Sequence, residues 1–192
     1  MTLPEPTGRQ ALLLRAIEHF AQHGIGDTSL RGLASAIGTS HRMLIYHFGS
    51  REGLLAAVVD RVEEDGRTTL ARIAQEGDPD DDLLEAGLRF WHTMTEEALI
   101  YGPLFFELSS HAMLDLPHAV GLRERLVTTW LDTLEATYVS HGMDPQTGRT
   151  QARLDLAVAR GLLHDLLLTG DREAVDTAMQ RHATDVVSHL HR

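Results

Sequence analysis

TSLRGLASAIGTSHRMLIYHFGSREGLL, residues 28–55, decides how this chain folds. Ser29 is a good N-cap residue, and Leu30, Leu33, Ala34 and Ile37 follow it at helical spacing. Gly38 breaks that helix, and Ser40 can cap a second short one. Two short helices joined by a Gly-containing turn make a helix-turn-helix, whose second helix enters the DNA major groove. The charge pattern agrees. Between Thr28 and Arg51 the segment carries Arg31, Arg42 and Arg51 with His41 and His47, and no Asp or Glu. An acid-free basic window in an acidic chain is what a phosphate-contacting surface requires.

Working outward, the 192 residues suffice for one large or two small domains with a real core. Cysteine is absent, which excludes disulfide frameworks, thiolate catalysis and Cys-based metal sites and fits a cytoplasmic protein. No signal peptide is read: Arg9 comes late and the apolar run Ala11–Leu14 is too short. No segment approaches the roughly 20 apolar residues of a membrane span. Net charge is −11 and unevenly placed. Residues 1–60 hold five Arg and five acids, whereas residues 61–192 hold twelve Arg and twenty-three acids, and Lys is absent throughout. A neutral, locally basic head on an acidic body suits a protein whose head meets DNA.

Periodicity predicts an all-α chain of about nine helices. Pro4, Pro6 and Gly8 mark a loose arm, and a first helix runs from about Arg9 to His23, closed by Gly24 with Ile25 as its hydrophobic follower. Phe20, Leu33, Ile37, Leu44 and Phe48 are the expected core of a three-helix domain. A fourth helix starts after Ser50 and reaches about Gln75, where EGDPDDD breaks the chain. Asp82 and Glu85 resemble a capping box opening a fifth helix, which Gly102–Pro103 is expected to end while starting a sixth. After Pro117 comes a seventh, with a stripe from Ala119 to Tyr138, and Gly142 to Pro145 ends it. The eighth starts between Pro145 and Arg149 and ends at Thr169–Gly170, and Asp171 caps the ninth. These last two must be antiparallel neighbours.

The motifs TSLRGLASAIG, LIYHF at Leu44–Phe48, and GSREGLL resemble the DNA-binding domain of the tetracycline-repressor (TetR) family of bacterial transcription regulators. The match covers the first third of the chain, in the family's order and spacing. The family often carries Tyr where this chain has Ile45, and a small residue where it has Arg42, which points to an individual operator preference. The resemblance implies a helix-turn-helix domain at residues 1–49 and an effector-binding and dimerisation domain at 50–192. It implies a homodimer through the eighth and ninth helices, a pseudo-palindromic double-stranded operator, and repression released by a small effector.

The expected DNA-facing residues are Arg31, Thr39, Ser40, His41, Arg42, Met43, Tyr46, His47 and Arg51. Arg forks onto guanine or clamps phosphate, hydroxyls bond phosphate oxygens, and Met43 can touch a thymine methyl. Tyr46 and His47 can equally pack on the first helix. In the resembling family the fifth to seventh helices enclose an apolar effector cavity. That assigns Trp91, Met94, Tyr101, Phe105, Glu107, Met113, Trp130 and His164 as ligand-facing candidates, with Phe106 and Tyr138 beside them. Aromatic and Met stripes at helical spacing are equally core. Few charges lie nearby, so the expected effector is apolar or aromatic. His19 and His23 stand one turn apart without a third ligand, and His92 and His111 have no assigned role. GxSxG, a Gly-rich phosphate loop and HExxH are all missing, so no enzyme, metal or cofactor is expected. The alternatives are an effector-independent DNA-binding or architectural protein and, behind it, a small helical enzyme.

Overall fold

The computed structural model describes residues 8–26, 28–76, 83–120 and 122–190. Among them are eight α-helices and no strand: α1 (Gly8–His23), α2 (Leu30–Ala36), α3 (His41–Phe48), α4 (Arg51–Glu76), α5 (Leu83–Met113), α6 (Leu122–Ser140), α7 (Pro145–Thr169) and α8 (Arg172–Leu190). The expected arm before Gly8, the break at Gly77–Pro79 and the Asp82 cap lie outside the described residues. No helix is long and apolar enough, among those residues, to cross a membrane.

The chain packs as two compact units. The first runs to Glu64 and takes in Pro103–Arg123; the second comprises Asp65–Gly102 and the chain from Glu124 onward. The first unit is built on local signals. Gly24 takes a left-handed φ of 75° and donates its N–H to the Phe20 carbonyl at 2.8 Å, closing α1. Ser29 Oγ accepts from Gly32 N at 3.1 Å and Ser40 Oγ from Met43 N at 3.2 Å, capping α2 and α3. Phe20, Leu33, Ile37, Leu44 and Phe48 are all buried, as their spacing predicts, together with Ile17, Ile25, Leu54 and Leu55.

The sequence reading separates residues 83–102 from 103–113, but the structure makes them one helix of 31 residues with Pro103 inside it. Proline removes one hydrogen bond, and the buried Ala98, Leu104, Leu108 and Ala112 on both sides of it offset that loss. Gly102 lies close to α7: a Cβ on it would stand 2.7 Å from Leu167 Cδ1, the tip of a side chain that can turn aside. Eight described helices therefore replace the expected nine. The seventh predicted helix also starts later, at Leu122, because Leu116 and Ala119 form turns (Ala119 N to Leu116 O, 2.8 Å).

In the second unit Asp144 caps α7, with Pro145 in its first turn, and Gly170 closes it at φ 71°. Asp171 Oδ1 then accepts from Ala174 N at 3.0 Å, so the α7–α8 connection is as tight as its residues predict. Trp91, Leu166, Val175 and Met179 form a buried cluster against which Leu88, Val158 and Leu162 pack. A polar network ties three helices: Tyr138 of α6 donates to Asp155 Oδ2 of α7, while Gln151 Nε2 and His182 Nε2 of α8 reach Asp155 Oδ1 at 2.8 and 2.7 Å. Burial and the Asp155 carboxylate push the Tyr138 phenol well above its ordinary range.

At the start of α4, Ser50 Oγ accepts from Gly53 N at 3.0 Å, and a Cβ on Gly53 would collide with the Phe48 carbonyl oxygen. Backbone is a neighbour that cannot swing aside. Gly53→Ala should therefore destabilise the protein by about 1–3 kcal/mol, the cost of overpacking. An unchanged or raised Tm would show that the α3–α4 corner is looser than this geometry.

Candidate nucleic-acid interface

Leu44 is fully buried and Phe48 8% exposed, which fixes one face of α3 against the core. The opposite face is then displayed to solvent: His41, Arg42, Met43 and Tyr46 are exposed, Tyr46 by 79%. Arg31 is exposed on α2. Neither Arg31 nor Arg42 has a hydrogen-bond or ion-pair partner among the described residues. Two cations without acidic partners, beside a hydroxyl and a thioether, can contact phosphate and base edges.

The other predicted residues serve the scaffold in part. Ser40 caps α3, and Thr39 is half-buried. The His47 ring meets Tyr46 edge-on at 4.9 Å and is half-buried. Arg51 is half-buried and donates from Nε to the Thr28 carbonyl at 3.1 Å, and from Nη2 to the carbonyls of Ile25 (3.3 Å) and Gly26 (2.5 Å). It clamps the α1–α2 connection from the first turn of α4.

Sequence reasoning missed three supports of this face. Arg9 lies over the Phe48 ring, 5.0 Å from its centroid, and its Nε reaches the His47 carbonyl at 3.4 Å. Arg15 donates to the Ile37 carbonyl at 3.0 Å, satisfying the end of α2. Glu107, read as a ligand-orienting residue, accepts from the backbone amides of Ile25 (2.8 Å) and Gly26 (3.2 Å). Such contacts join residues far apart in sequence and carry no local pattern.

The effector candidates are spread. In the first unit, besides Glu107, Phe105 is half-buried and edge-to-face with Phe106 at 5.3 Å, and Met113 is 70% exposed. In the second unit Trp91 is buried and donates Nε1–H to Asp176 Oδ1 at 2.7 Å; Met94 and Trp130 are half-buried; Tyr101 and His164 are exposed. A surface groove of about 450 Å³ is lined by Glu135, Pro145, Gln146, Arg149, Thr150 and Arg153, none of them an effector candidate. His19 and His23 stack at 4.5 Å.

A two-helix reading head inside an all-helical chain defines a helix-turn-helix protein. Residues 12–58 match the family model described as "Bacterial regulatory proteins, tetR family". That match takes in α2, α3, most of α1 and the start of α4. It is 45% identical over 64 residues to the HTH-type transcriptional regulatory protein RaaS of Mycobacterium tuberculosis, covering 33% of this chain and 30% of the relative. It is 32% identical over 101 residues to an HTH-type transcriptional repressor of the same organism, covering 50% and 51%. The chain thus spans about half or less of the curated relatives it matches. The whole-chain fold is similar to that of a transcriptional regulator from Saccharomonospora viridis solved in complex with choline, with TM-score 0.74, 22% identity, and 94% and 95% of the two chains covered.

Two histidines sit beside the Arg51 clamp. His111 Nδ1 and His118 Nε2 lie 3.0 Å apart, hydrogen-bonded. Burial, then His111, then Arg51 hold the His118 pKa below its ordinary value, and Glu52 opposes them. The folded state thus favours neutral His118, while the unfolded chain takes up a proton as pH falls through about 6.5. This contribution is complete above that pH and lost as pH falls below it. The Tm of the wild-type protein should therefore drop between pH 7.5 and 5.5 by more than that of His118→Gln. Parallel losses in the two would show that His118 stays solvated.

Proposed function

We propose that this protein is a homodimeric transcriptional repressor that reads a pseudo-palindromic operator through α3 and releases it on binding a small apolar effector. The observation that carries the reading is the exposed, acid-free basic face of α2 and α3, with Arg31 and Arg42 free of acidic partners among the described residues. The relatives' names, regulator and repressor, support the same direction. A second copy is supported by α7, where Leu154 (54% exposed), Ala157, Gly161 and Leu168 (74% exposed) fall on one helical face. Two recognition helices so joined would sit about 34–36 Å apart on the duplex. That there is a small-molecule effector is supported by the choline-bound neighbour, and its apolar character by the aromatic residues of α5 and α6.

A second reading, DNA binding without an effector, draws on the engaged state of two candidates. Trp91 is buried and bonded to Asp176, and Glu107 is bonded to backbone. A thermal-shift screen of small molecules separates the two, because a ligand of the native state raises Tm by mass action. A ligand that quenches tryptophan emission and weakens operator affinity over one concentration range supports the effector reading.

Operator selection from random DNA tests the main claim. Arg42→Ala should cost about 1–3 kcal/mol on the selected site and relax preference at one base pair. Arg51→Ala should lower Tm and weaken all sites alike. Equal effects of Arg42→Ala on every sequence, or a monomer by sedimentation that still binds DNA at micromolar concentration, would contradict the assignment.

A further inference from the structure

We propose that Arg9 is a positioning residue for DNA recognition: it braces the last turn of α3 and so fixes the directions in which Tyr46 and His47 meet the duplex. The inference rests on the operator reading above and names a determinant on α1, outside the DNA-facing set.

α3 ends at Phe48, so its last carbonyls have no N–H one turn further along the same helix. Gly49 N donates to the Ile45 carbonyl and Ser50 N to the Phe48 carbonyl, each at 2.9 Å. The His47 carbonyl is met instead by Arg9 Nε at 3.4 Å, from the first turn of α1. The same guanidinium stands 5.0 Å from the centre of the Phe48 ring, the buried anchor of α3. One side chain thus holds both the backbone and the core residue of that turn. The His47 ring leans on the same corner, since its Nε2 would lie 4.0 Å from a Cβ on Gly8. Its other neighbour is Tyr46, whose ring meets it edge-on at 4.9 Å. Contact therefore runs from the start of α1 through His47 to Tyr46, which is 79% exposed.

Electrostatics point the same way. A cation in the first turn of α1 faces the positive end of that helix's dipole, where it is disfavoured. Over the last turn of α3 it faces a negative end, where it is favoured. The place of Arg9 is thus explained by α3 and not by α1. The ends of short helices fray. Without Arg9 the last turn of α3 should loosen, and Tyr46 and His47 would have to be ordered on binding. Arg42 lies in the first turn of α3, beside the Ser40 cap, and should keep its own base preference.

The experiment uses the whole chain. A random duplex library gives the wild-type base preferences, and the same selection is run on Arg9→Ala, Arg9→Lys, Tyr46→Ala and Arg42→Ala. Arg9 is exposed and Lys keeps its charge, so the Lys variant carries the test if the Ala variant does not fold. Ring-proton shifts of Tyr46 and His47 are read on the DNA-free proteins. Arg9→Ala should relax discrimination roughly three- to fivefold, the scale of an exposed cation–π contact. It should do so at the base pairs that Tyr46→Ala relaxes and not at those of Arg42→Ala. The slope of log affinity against log salt should keep its wild-type value. Lys should not restore the preference, because a point cation cannot lie flat over Phe48 while donating to the His47 carbonyl. The Tyr46 and His47 ring shifts should move in both Arg9 variants. A slope shallower by about 0.9 with preferences intact would make Arg9 a phosphate contact and overturn the positioning role. Equal losses at every sequence, wild-type preferences in Arg9→Ala, full rescue by Lys, or unmoved ring shifts would overturn it as well. In each of those cases the operator reading stands. A wild-type protein that enriches no duplex overturns the operator reading and this role with it.

Discussion

The burial of one side of α3 is the constraint on which the reading head depends. A helix of eight residues does not persist alone in water, because nucleation is costly and few bonds follow it. Leu44 and Phe48, one turn apart, supply what local propensity cannot by being buried in the same unit as Phe20 and Leu33. Once that face is committed, His41, Arg42 and Tyr46 have nowhere to point but outward. Arg9 and Arg15 then hold the ends of α3 and α2 by their last carbonyls. The head is thus set by a handful of apolar contacts and by guanidinium groups bonded to backbone.

Charge is divided with the same economy. The exposed face of α2 and α3 keeps Arg31 and Arg42 without acidic partners among the described residues, whereas in the second unit Arg172 is paired with Glu96 and Asp176, and Arg149 with Asp132 and Glu135. Paired cations on an acidic surface add little net positive potential, and unpaired ones attract phosphate. Arg51 shows that a cation at the edge of the basic window can instead be structural.

Much of this was legible in the sequence because it is local. Ser29, Ser40 and Asp171 cap the helices they precede, and Gly24 and Gly170 end the helices they follow. Gly102–Pro103 misled, since the dipeptide reads as a helix end while tertiary burial on both sides keeps α5 continuous. The roles of Glu107, Arg9 and Arg15 were not legible at all. Each acts on backbone atoms 22 to 82 residues away, and only the fold brings those atoms near. Trp91 shows a third case, in which the apolar stripe correctly placed a side chain inside but not the Asp176 carboxylate that meets its indole N–H.

The most direct test of the central claim is a hydrogen-exchange and chemical-shift footprint of the protein on a duplex selected from random DNA. The account predicts that the largest changes fall on Arg31 and on residues 39–47, and that affinity drops steeply as salt rises. A footprint centred on α7 and α8, or binding indifferent to salt, would contradict it.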